Sequence, residues 1–172
     1  MKIYRLIKKN IKFYKILVVA GGWSDEREVS IMSGKNVFSC LKKNKCNVKY
    51  FDLKKNNINK ILKYKPDIIF NSLHGEFGED GGLSTFALKH KIIITHSDSI
   101  SSALCFNKRL LKNYLKKEYK ILSPKEIVNN KKIDFPIISK PNWGGSSQGI
   151  EFINDKNKLK KRKHNNQNLI EE

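Results

Sequence analysis

Short apolar runs alternate with helix-like periodicity through the first half of the chain. Residues 16–20 (ILVVA) end at two glycines, which is typical of a central parallel strand that feeds a loop. The same reasoning predicts further strands at residues 48–53, 67–71 and 92–95, and helices at 30–43, 58–64 and 83–90. This alternation predicts an α/β fold, with a parallel sheet covered by helices on both faces.

The pattern changes after residue 98. Residues 99–117 are predicted to form one long helix, and residues 135–141 and 148–153 a hairpin-like pair of strands. The Lys- and Asn-rich stretch 155–168 fits either an exposed helix or a disordered segment. Residues 169–172 have the pattern of another strand, so an incomplete sheet with an unpaired edge is expected.

These patterns divide the chain into three parts. They are a basic N-terminal extension over residues 1–14, a first domain over 15–98 and a second, incomplete domain over 99–172.

The charge balance alone favours a polyanionic partner, because the chain has 35 Lys and Arg but only 16 Asp and Glu, which gives a net charge of +19. Nearly all of these cations are lysines, however, and they are spread along the chain without interleaved aromatics. This distribution favours a solvated lysine surface and disfavours dedicated nucleic-acid binding. A hydrophobic content of 39% also excludes a wholly disordered chain.

Cysteine usage and the lack of long apolar runs point to the cytoplasm. The three cysteines are an odd number without CxxC spacing, which disfavours a disulfide framework or a zinc site and fits a reducing compartment. No apolar run approaches the roughly 18 residues of a membrane span. Residues 16–20 are too few for the apolar core of a signal peptide, so no membrane association is expected.

Two glycine-rich loops follow predicted parallel strands. In the first, GGWSDEREVS (residues 21–30), the acids around Arg27 could hold an ammonium group while the arginine orients them. The alternative is an ordinary helix start, with Ser24 or Asp25 as the N-cap. In the second, SLHGEFGEDGG (residues 72–82), His74 could donate to a carboxylate, although a lone histidine is more often simply packed or solvated.

A third loop, SKPNWGGSSQG (residues 139–149), follows a strand of the second domain. Its lysine, hydroxyls and backbone amides suit a triphosphate, although the order of a Walker motif is absent. A plain hairpin loop is the alternative.

Together these segments resemble the D-alanine:D-alanine ligase family of the ATP-grasp superfamily. The resemblance runs from about residue 16 to residue 172. It rests on GG at 21–22 with EREVS at 26–30, LHG at 73–75 with GEDG at 78–81, NK at 107–108, and KP at 140–141 with GSS at 145–147 and the glycine at 149. It implies a Rossmann-like, pre-ATP-grasp domain followed by the first, incomplete part of an ATP-grasp domain. It also implies ATP-dependent synthesis of the D-alanyl-D-alanine dipeptide of peptidoglycan through an acyl phosphate.

The resemblance also implies roles for individual residues. Glu26 is expected to hold the ammonium of the first D-alanine, and His74 to lie near its carboxylate. Ser146 would belong to a loop that closes over the site and would link to Glu26 through a tyrosine. The residues expected at ATP are Lys108, Lys140 and Ser147 at the phosphates and Glu171 at the adenine.

Other family features are expected beyond the last residue of this chain. They are a tyrosine, an arginine for the developing oxyanion, and the ligands of Mg²⁺, so the metal site is expected to have no ligand within these 172 residues. The isolated chain is therefore expected to be inactive. Trp23, Asn142 and Trp143 also replace smaller or more polar residues that are usual in the family.

D-alanine and ATP are the expected partners, and a complementing C-terminal half or a homodimer is compatible with the resemblance. Two other hypotheses remain open from sequence alone. The chain could be a non-catalytic remnant or binding module of a split or truncated ligase gene, or a basic nucleic-acid-binding protein.

Overall fold

The computed structural model describes residues 11–127, 133–161 and 167–172. The chain divides into two compact units, Met1–Ala103 and Leu104–Glu172. The domain boundary expected between residues 98 and 99 stays a prediction. Most of the expected N-terminal extension lies outside the described residues, and its last part contains a short 3₁₀ turn over Ile11–Phe13.

The first unit is built on a four-stranded parallel sheet, as the alternation of strands and helices predicts. Its strands are β1 (Ile16–Gly21), β2 (Val48–Leu53), β3 (Ile68–Asn71) and β4 (Ile93–Ile94), in the order β2-β1-β3-β4. Every residue of β1 is buried, which explains its uninterrupted apolar sequence.

Three helices accompany this sheet: α1 (Arg27–Lys43), a 3₁₀ helix over Lys55–Tyr64, and α2 (Gly82–Lys89). Helix α1 begins earlier than the predicted residue 30. Neither Ser24 nor Asp25 is its N-cap, because Glu26 occupies that position and makes no capping hydrogen bond through its side chain.

The two faces of β1 are covered by different helices. Gly34 of α1 packs so tightly that a Cβ there would lie 2.5 Å from the Cβ of Ala20, which explains a glycine inside a helix. Leu17 and Val19 point to the opposite face, because side chains alternate along a strand. They join a buried core with residues of β2, the 3₁₀ helix, β3, the loop after β3 and α2, namely Phe51, Leu53, Ile61, Ile69, Leu73, Leu83 and Ala87.

The second unit contains a three-stranded antiparallel sheet in the order β6-β5-β7. Its strands are β5 (Ile137–Pro141), β6 (Glu151–Ile153) and β7 (Asn168–Glu171). The hairpin-like pairing of β5 with β6 is confirmed. Part of the Lys- and Asn-rich stretch forms a helix, α5 (Lys156–Lys161), and residues 162–166 lie outside the described part.

The prediction of one helix over residues 99–117 is wrong. Two helices are present, α3 (Ser99–Phe106), which runs across the division between the units, and α4 (Lys108–Tyr119). Asn107 separates them because its backbone is extended and its side chain accepts a hydrogen bond from the amide of Leu110, which makes it the N-cap of α4.

The expectation of an unpaired sheet edge at β7 is also wrong. The segment at residues 125–127 lies along that edge. The amide of Ile127 donates to the carbonyl of Ile170 at 2.8 Å, and the amide of Glu172 donates to the carbonyl of Lys125 at 3.2 Å. This segment satisfies backbone groups that the strand pattern alone leaves open.

Within residues 11–127, 133–161 and 167–172, no helix is both long enough and apolar enough to cross a membrane.

Candidate functional site

The first two glycine-rich loops leave the same edge of the parallel sheet. β1 and β3 are neighbours, with Val19 opposite Asn71, so the loops that follow them start side by side. The hydroxyl of Ser30, which is fully buried, joins them. It accepts a hydrogen bond from the amide of Gly21 at 2.8 Å and donates one to the carbonyl of Ser72 at 2.7 Å. Ligands of open α/β sheets bind at this edge.

A second contact brings Glu26 beside the residue that follows His74. The hydroxyl of Ser24 donates to the carbonyl of His74 at 2.7 Å. A Cβ on Gly75 would lie 2.9 Å from the Cβ of Ser24 and 3.6 Å from Oε2 of Glu26. Gly75 also has a φ of +68°, so both its conformation and its surroundings favour glycine. The Glu26 carboxylate therefore lies against the backbone of the histidine loop.

The imidazole of His74 is oriented by an acid of its own loop. Its Nδ1 lies 3.5 Å from Oε1 of Glu79, and Oε2 of the same carboxylate accepts a hydrogen bond from the amide of Gly75 at 2.9 Å. The side chain of His74 is 33% exposed, so a ligand can reach it. Glu79 belongs to the GEDG motif, but the sequence alone does not reveal that it orients the histidine.

Asp80 and two aromatic rings fix the shape of the histidine loop. The carboxylate of Asp80 accepts hydrogen bonds from the amides of Phe77 and Gly82, at 2.9 and 2.8 Å. Phe77 has a φ of +68°, a conformation that is costly for an aromatic residue, and its ring packs 5.0 Å from that of Trp23. Trp23, one of the departures from the family pattern, thus supports this loop.

Arg27 does not orient the neighbouring acids in the way the sequence suggests. Its guanidinium forms an ion pair with Asp52 of β2 at 2.8 Å and donates to the carbonyls of Gly22 and Leu53. The hydrogen bond to Asp52 raises the pKa of Arg27. Arg27 therefore ties the end of β1 to the end of β2, and Asp52, 25 residues away along the chain, is a partner that no local motif reveals.

In the second unit, Lys108 is held against the third glycine-rich loop. Its amide donates to the carbonyl of Asn142 at 3.0 Å, and its Nζ donates to the carbonyl of Gly144 at 2.6 Å. Burial and the positive charge of Lys140 lower the pKa of Lys108, against the opposing influence of Glu171. Two lysines that repel each other in this way form an environment that suits an anion.

Glu171 is the most buried acid of this region, with a side chain only 3% exposed. It forms ion pairs with Lys112 of α4 and with Lys140 of β5, the latter at 2.5 Å. Burial by itself raises the pKa of Glu171, but the hydrogen bonds from the two lysines outweigh it, and the pKa is lowered. The carboxylate is therefore ionised within a cluster of cations.

Sequence reasoning missed Lys112, Arg109 and Glu126 in this cluster. Arg109 contacts both carboxylate oxygens of Glu126 through Nε, at 3.0 and 3.1 Å, and its amide donates to Oδ1 of Asn142. Lys112 lies one helical turn after Lys108, and this spacing is the one available signal, because it puts both lysines on the same face of α4.

Ser146 and Ser147 are exposed and lie at the tip of the third loop. Both have positive φ values, 51° and 57°, which are uncommon for serine. The amide of Gln148 donates to the carbonyl of Gly145 at 3.2 Å, so the two serines occupy the centre of a tight turn. The roles expected for the two serines stay predictions.

A metal site does not fit the side chains of the described segments. Within residues 11–127, 133–161 and 167–172, no group of three His, Cys, Asp or Glu side chains is arranged to hold a metal ion. We therefore assign no step of chemistry to Mg²⁺ on this chain.

No family model matches the chain, but curated proteins and solved structures resemble it. A D-alanine--D-alanine ligase of Pelagibacter ubique (strain HTCC1062) is 39% identical over 175 residues, which cover 92% of this chain and 57% of that protein. The crystal structure of D-alanine--D-alanine ligase from Bacillus anthracis superposes with a TM-score of 0.71 at 30% identity, covering 85% of this chain and 51% of that one. The structure of the Bacillus anthracis ligase complexed with ATP gives a TM-score of 0.71 at 28% identity, with coverages of 86% and 53%.

The chain spans about half the length of the curated relatives it matches. The similarity nevertheless covers most of this chain. The chain belongs to the D-alanine--D-alanine ligase family.

Proposed function

We propose that this chain supplies the first D-alanine pocket and the phosphate-binding lysines of an ATP-dependent D-alanine:D-alanine ligase. In this proposal the enzyme joins two D-alanine molecules into the dipeptide used in peptidoglycan, in the cytoplasm. ATP supplies the phosphoryl group that activates the carboxylate of the first D-alanine. The residues of this chain bind and orient the two substrates.

One observation carries the amino-acid half of the proposal. The Glu26 carboxylate lies against Gly75 in the loop that contains His74, at the edge of the sheet where ligands of such folds bind. A carboxylate suits the ammonium group of an amino acid, and a histidine oriented by Glu79 suits its carboxylate. We assign Glu26 to the ammonium and His74 to the carboxylate of the first D-alanine.

A titration with both enantiomers of alanine tests this half. Isothermal titration calorimetry should give saturable binding of D-alanine and at least about tenfold weaker binding of L-alanine, which corresponds to about 1.4 kcal/mol. A site that only attracts amino acids by charge would bind both enantiomers alike, and that result would contradict the assignment.

The nucleotide half rests on charge. Lys108 and Lys140 repel each other, Lys108 is fixed to the loop carbonyl of Gly144, and Glu171 lies beside them. A polyphosphate would relieve the repulsion between the two lysines, so we assign both to the phosphates of ATP. Glu171 is proposed at the adenine, Ser147 beside the phosphates, and Ser146 in the loop that closes over them.

Comparing ATP with AMP tests the nucleotide half. We expect Lys108→Met to weaken ATP binding by about tenfold or more, since hydrogen bonds between charged groups contribute about 1.5–3 kcal/mol. The same substitution should weaken the binding of AMP, which lacks the β- and γ-phosphates, much less. The matched control is Lys116→Met in the same helix, and equal losses for the two variants would argue against a specific role of Lys108.

A further inference from the structure

Glu171 joins three elements of the second unit at one carboxylate. It lies on β7, it is 3% exposed, and it contacts Lys112 from α4 and Lys140 from β5. One cationic partner is enough to keep a buried carboxylate ionised, so the second lysine is available for another role.

The arrangement conflicts with the use of Lys140 as a phosphate ligand. A lysine whose Nζ lies 2.5 Å from a buried carboxylate must leave that carboxylate, at least in part, before it can contact a nucleotide. If no other cation remained, the departure would leave an uncompensated buried charge, which is strongly unfavourable.

We infer that Lys112 is a positioning residue that retains the Glu171 carboxylate as an ion pair and thereby allows Lys140 to turn to a phosphate group. The inference rests on the proposed function, in which Lys140 is a phosphate ligand of ATP. Lys112 does not touch the nucleotide in this account, and it acts through Glu171.

The contacts of the two lysines support these different roles, in which Lys112 stays with Glu171 and Lys140 turns to the phosphate. The Nζ of Lys112 also donates to the carbonyl of Pro124 at 2.6 Å, so a second bond anchors it beside Glu171. Lys140 is the more exposed of the two, at 25% against 19%, and its positive charge repels that of Lys108. An incoming anion therefore binds Lys140 more readily than Lys112.

The remaining charges around Glu171 do not replace Lys112. Lys108 faces Glu171 from the start of α4, but its Nζ is bonded to Gly144. Arg109 is paired with Glu126, whose backbone borders β7. Lys112 is therefore the cation best placed to keep Glu171 ionised once Lys140 has moved.

Titration of ATP into Lys112→Met, Lys112→Arg and the control Lys116→Met tests the inference. Lys112→Met should bind ATP about tenfold more weakly or worse, whereas Lys112→Arg should recover most of the loss and Lys116→Met should resemble the wild type. Wild-type affinity in Lys112→Met would overturn the inference.

Proton uptake separates this role from a general loss of structure. Without Lys112, the departure of Lys140 raises the pKa of Glu171, so Lys112→Met should take up a proton when ATP binds. Its affinity relative to the wild type should then improve as the pH falls. Calorimetry in buffers of different ionisation enthalpy measures this uptake, and weaker binding with no extra proton would contradict the inference.

If the wild type binds no ATP, the proposed function fails. An experiment without nucleotide still tests the role of Lys112 in that case. Lys140→Met imitates the departure of Lys140, and ¹³C NMR reports the ionisation of the Glu171 carboxyl group. We expect Glu171 to remain ionised at neutral pH in Lys140→Met and to become protonated in the double variant Lys112→Met/Lys140→Met. Protonation already in Lys140→Met, or ionisation in the double variant, would overturn the role of Lys112.

Discussion

The hydroxyl of Ser30 donates a 2.7 Å hydrogen bond to the carbonyl of Ser72, and both residues are buried. The same hydroxyl accepts a hydrogen bond from the amide of Gly21. One side chain of α1 thus satisfies backbone groups at the ends of two neighbouring strands. The loops that contain Glu26 and His74 start from these two points, so their separation depends on Ser30.

Ser30→Ala should destabilise the protein by about 1–3 kcal/mol, because it leaves the buried carbonyl of Ser72 and amide of Gly21 without this partner. Thermal or urea unfolding measures the change. Ser39→Ala, at an exposed position of the same helix, is the control and should change stability by no more than about 0.5 kcal/mol. Equal effects of the two substitutions would show that the Ser30 bridge contributes nothing.

Gly75→Ala should destabilise the protein by about 1–3 kcal/mol, the range for a non-glycine residue in a strained backbone conformation. The new Cβ would also press on Ser24 and approach the Glu26 carboxylate, so D-alanine affinity should fall as well. The control is Gly145→Ala, where a Cβ meets no atom within 4 Å. If Gly75→Ala were as stable as Gly145→Ala, the contact between the two loops would be described wrongly.

Asn107→Ala should cost about 1 kcal/mol, within the usual range of about 0.5–2 kcal/mol for loss of an N-cap. The substitution removes the bond to the amide of Leu110 and favours the continuous helix that the sequence pattern suggests. Denaturant unfolding tests this against Asn113→Ala, an exposed position within α4. A stabilised Asn107→Ala variant would contradict the capping role.

Glu171→Gln should destabilise the protein by about 3 kcal/mol at neutral pH, because it leaves two cations facing an uncharged partner. The effect should depend on pH. The folded-state pKa of Glu171 lies below its ordinary value of 4.5, so its contribution is present above that pH and is lost as the pH falls through the folded-state pKa.

Unfolding curves between neutral and acidic pH measure this dependence. The stabilities of Glu171→Gln and the wild type should converge as the pH falls below about 4.5, the ordinary pKa of a glutamate. The neighbouring exposed acid provides the control, Glu172→Gln, which should follow the wild type throughout. A constant difference across the pH range would mean that the charge of Glu171 does not stabilise the fold.

The parallel sheet could be predicted from sequence because each of its strands is marked by the residues of that strand and of the turn that follows it. Residues 16–20 are apolar without interruption since β1 is buried on both faces, and glycines mark the end of that strand. The same local reasoning identified both loops at the edge of the sheet. Their direct contact through Ser24 and Gly75 could not be predicted, because it depends on residues about 50 positions apart.

The errors came from features that tertiary contacts decide. The helical spacing of apolar residues continues across Asn107, and only its capping bond and its bridge to Trp143 reveal a break. Lys112 looks like any other surface lysine in a chain with 35 Lys and Arg, so composition conceals the one that pairs with a buried acid. Arg27 was assigned to its sequence neighbours, whereas its partner Asp52 lies on another strand.

The most direct test of the central claim compares Glu26→Gln with Glu28→Gln in a calorimetric titration with D-alanine. Glu28 is an exposed acid in the first turn of α1, so its substitution removes the same charge close by without touching the proposed pocket. Because hydrogen bonds between charged groups contribute about 1.5–3 kcal/mol, Glu26→Gln should bind D-alanine about tenfold more weakly or worse, and Glu28→Gln within about twofold of the wild type. Unchanged D-alanine affinity in Glu26→Gln, or an equal loss in both variants, would contradict the assignment of Glu26 to the ammonium of the first substrate.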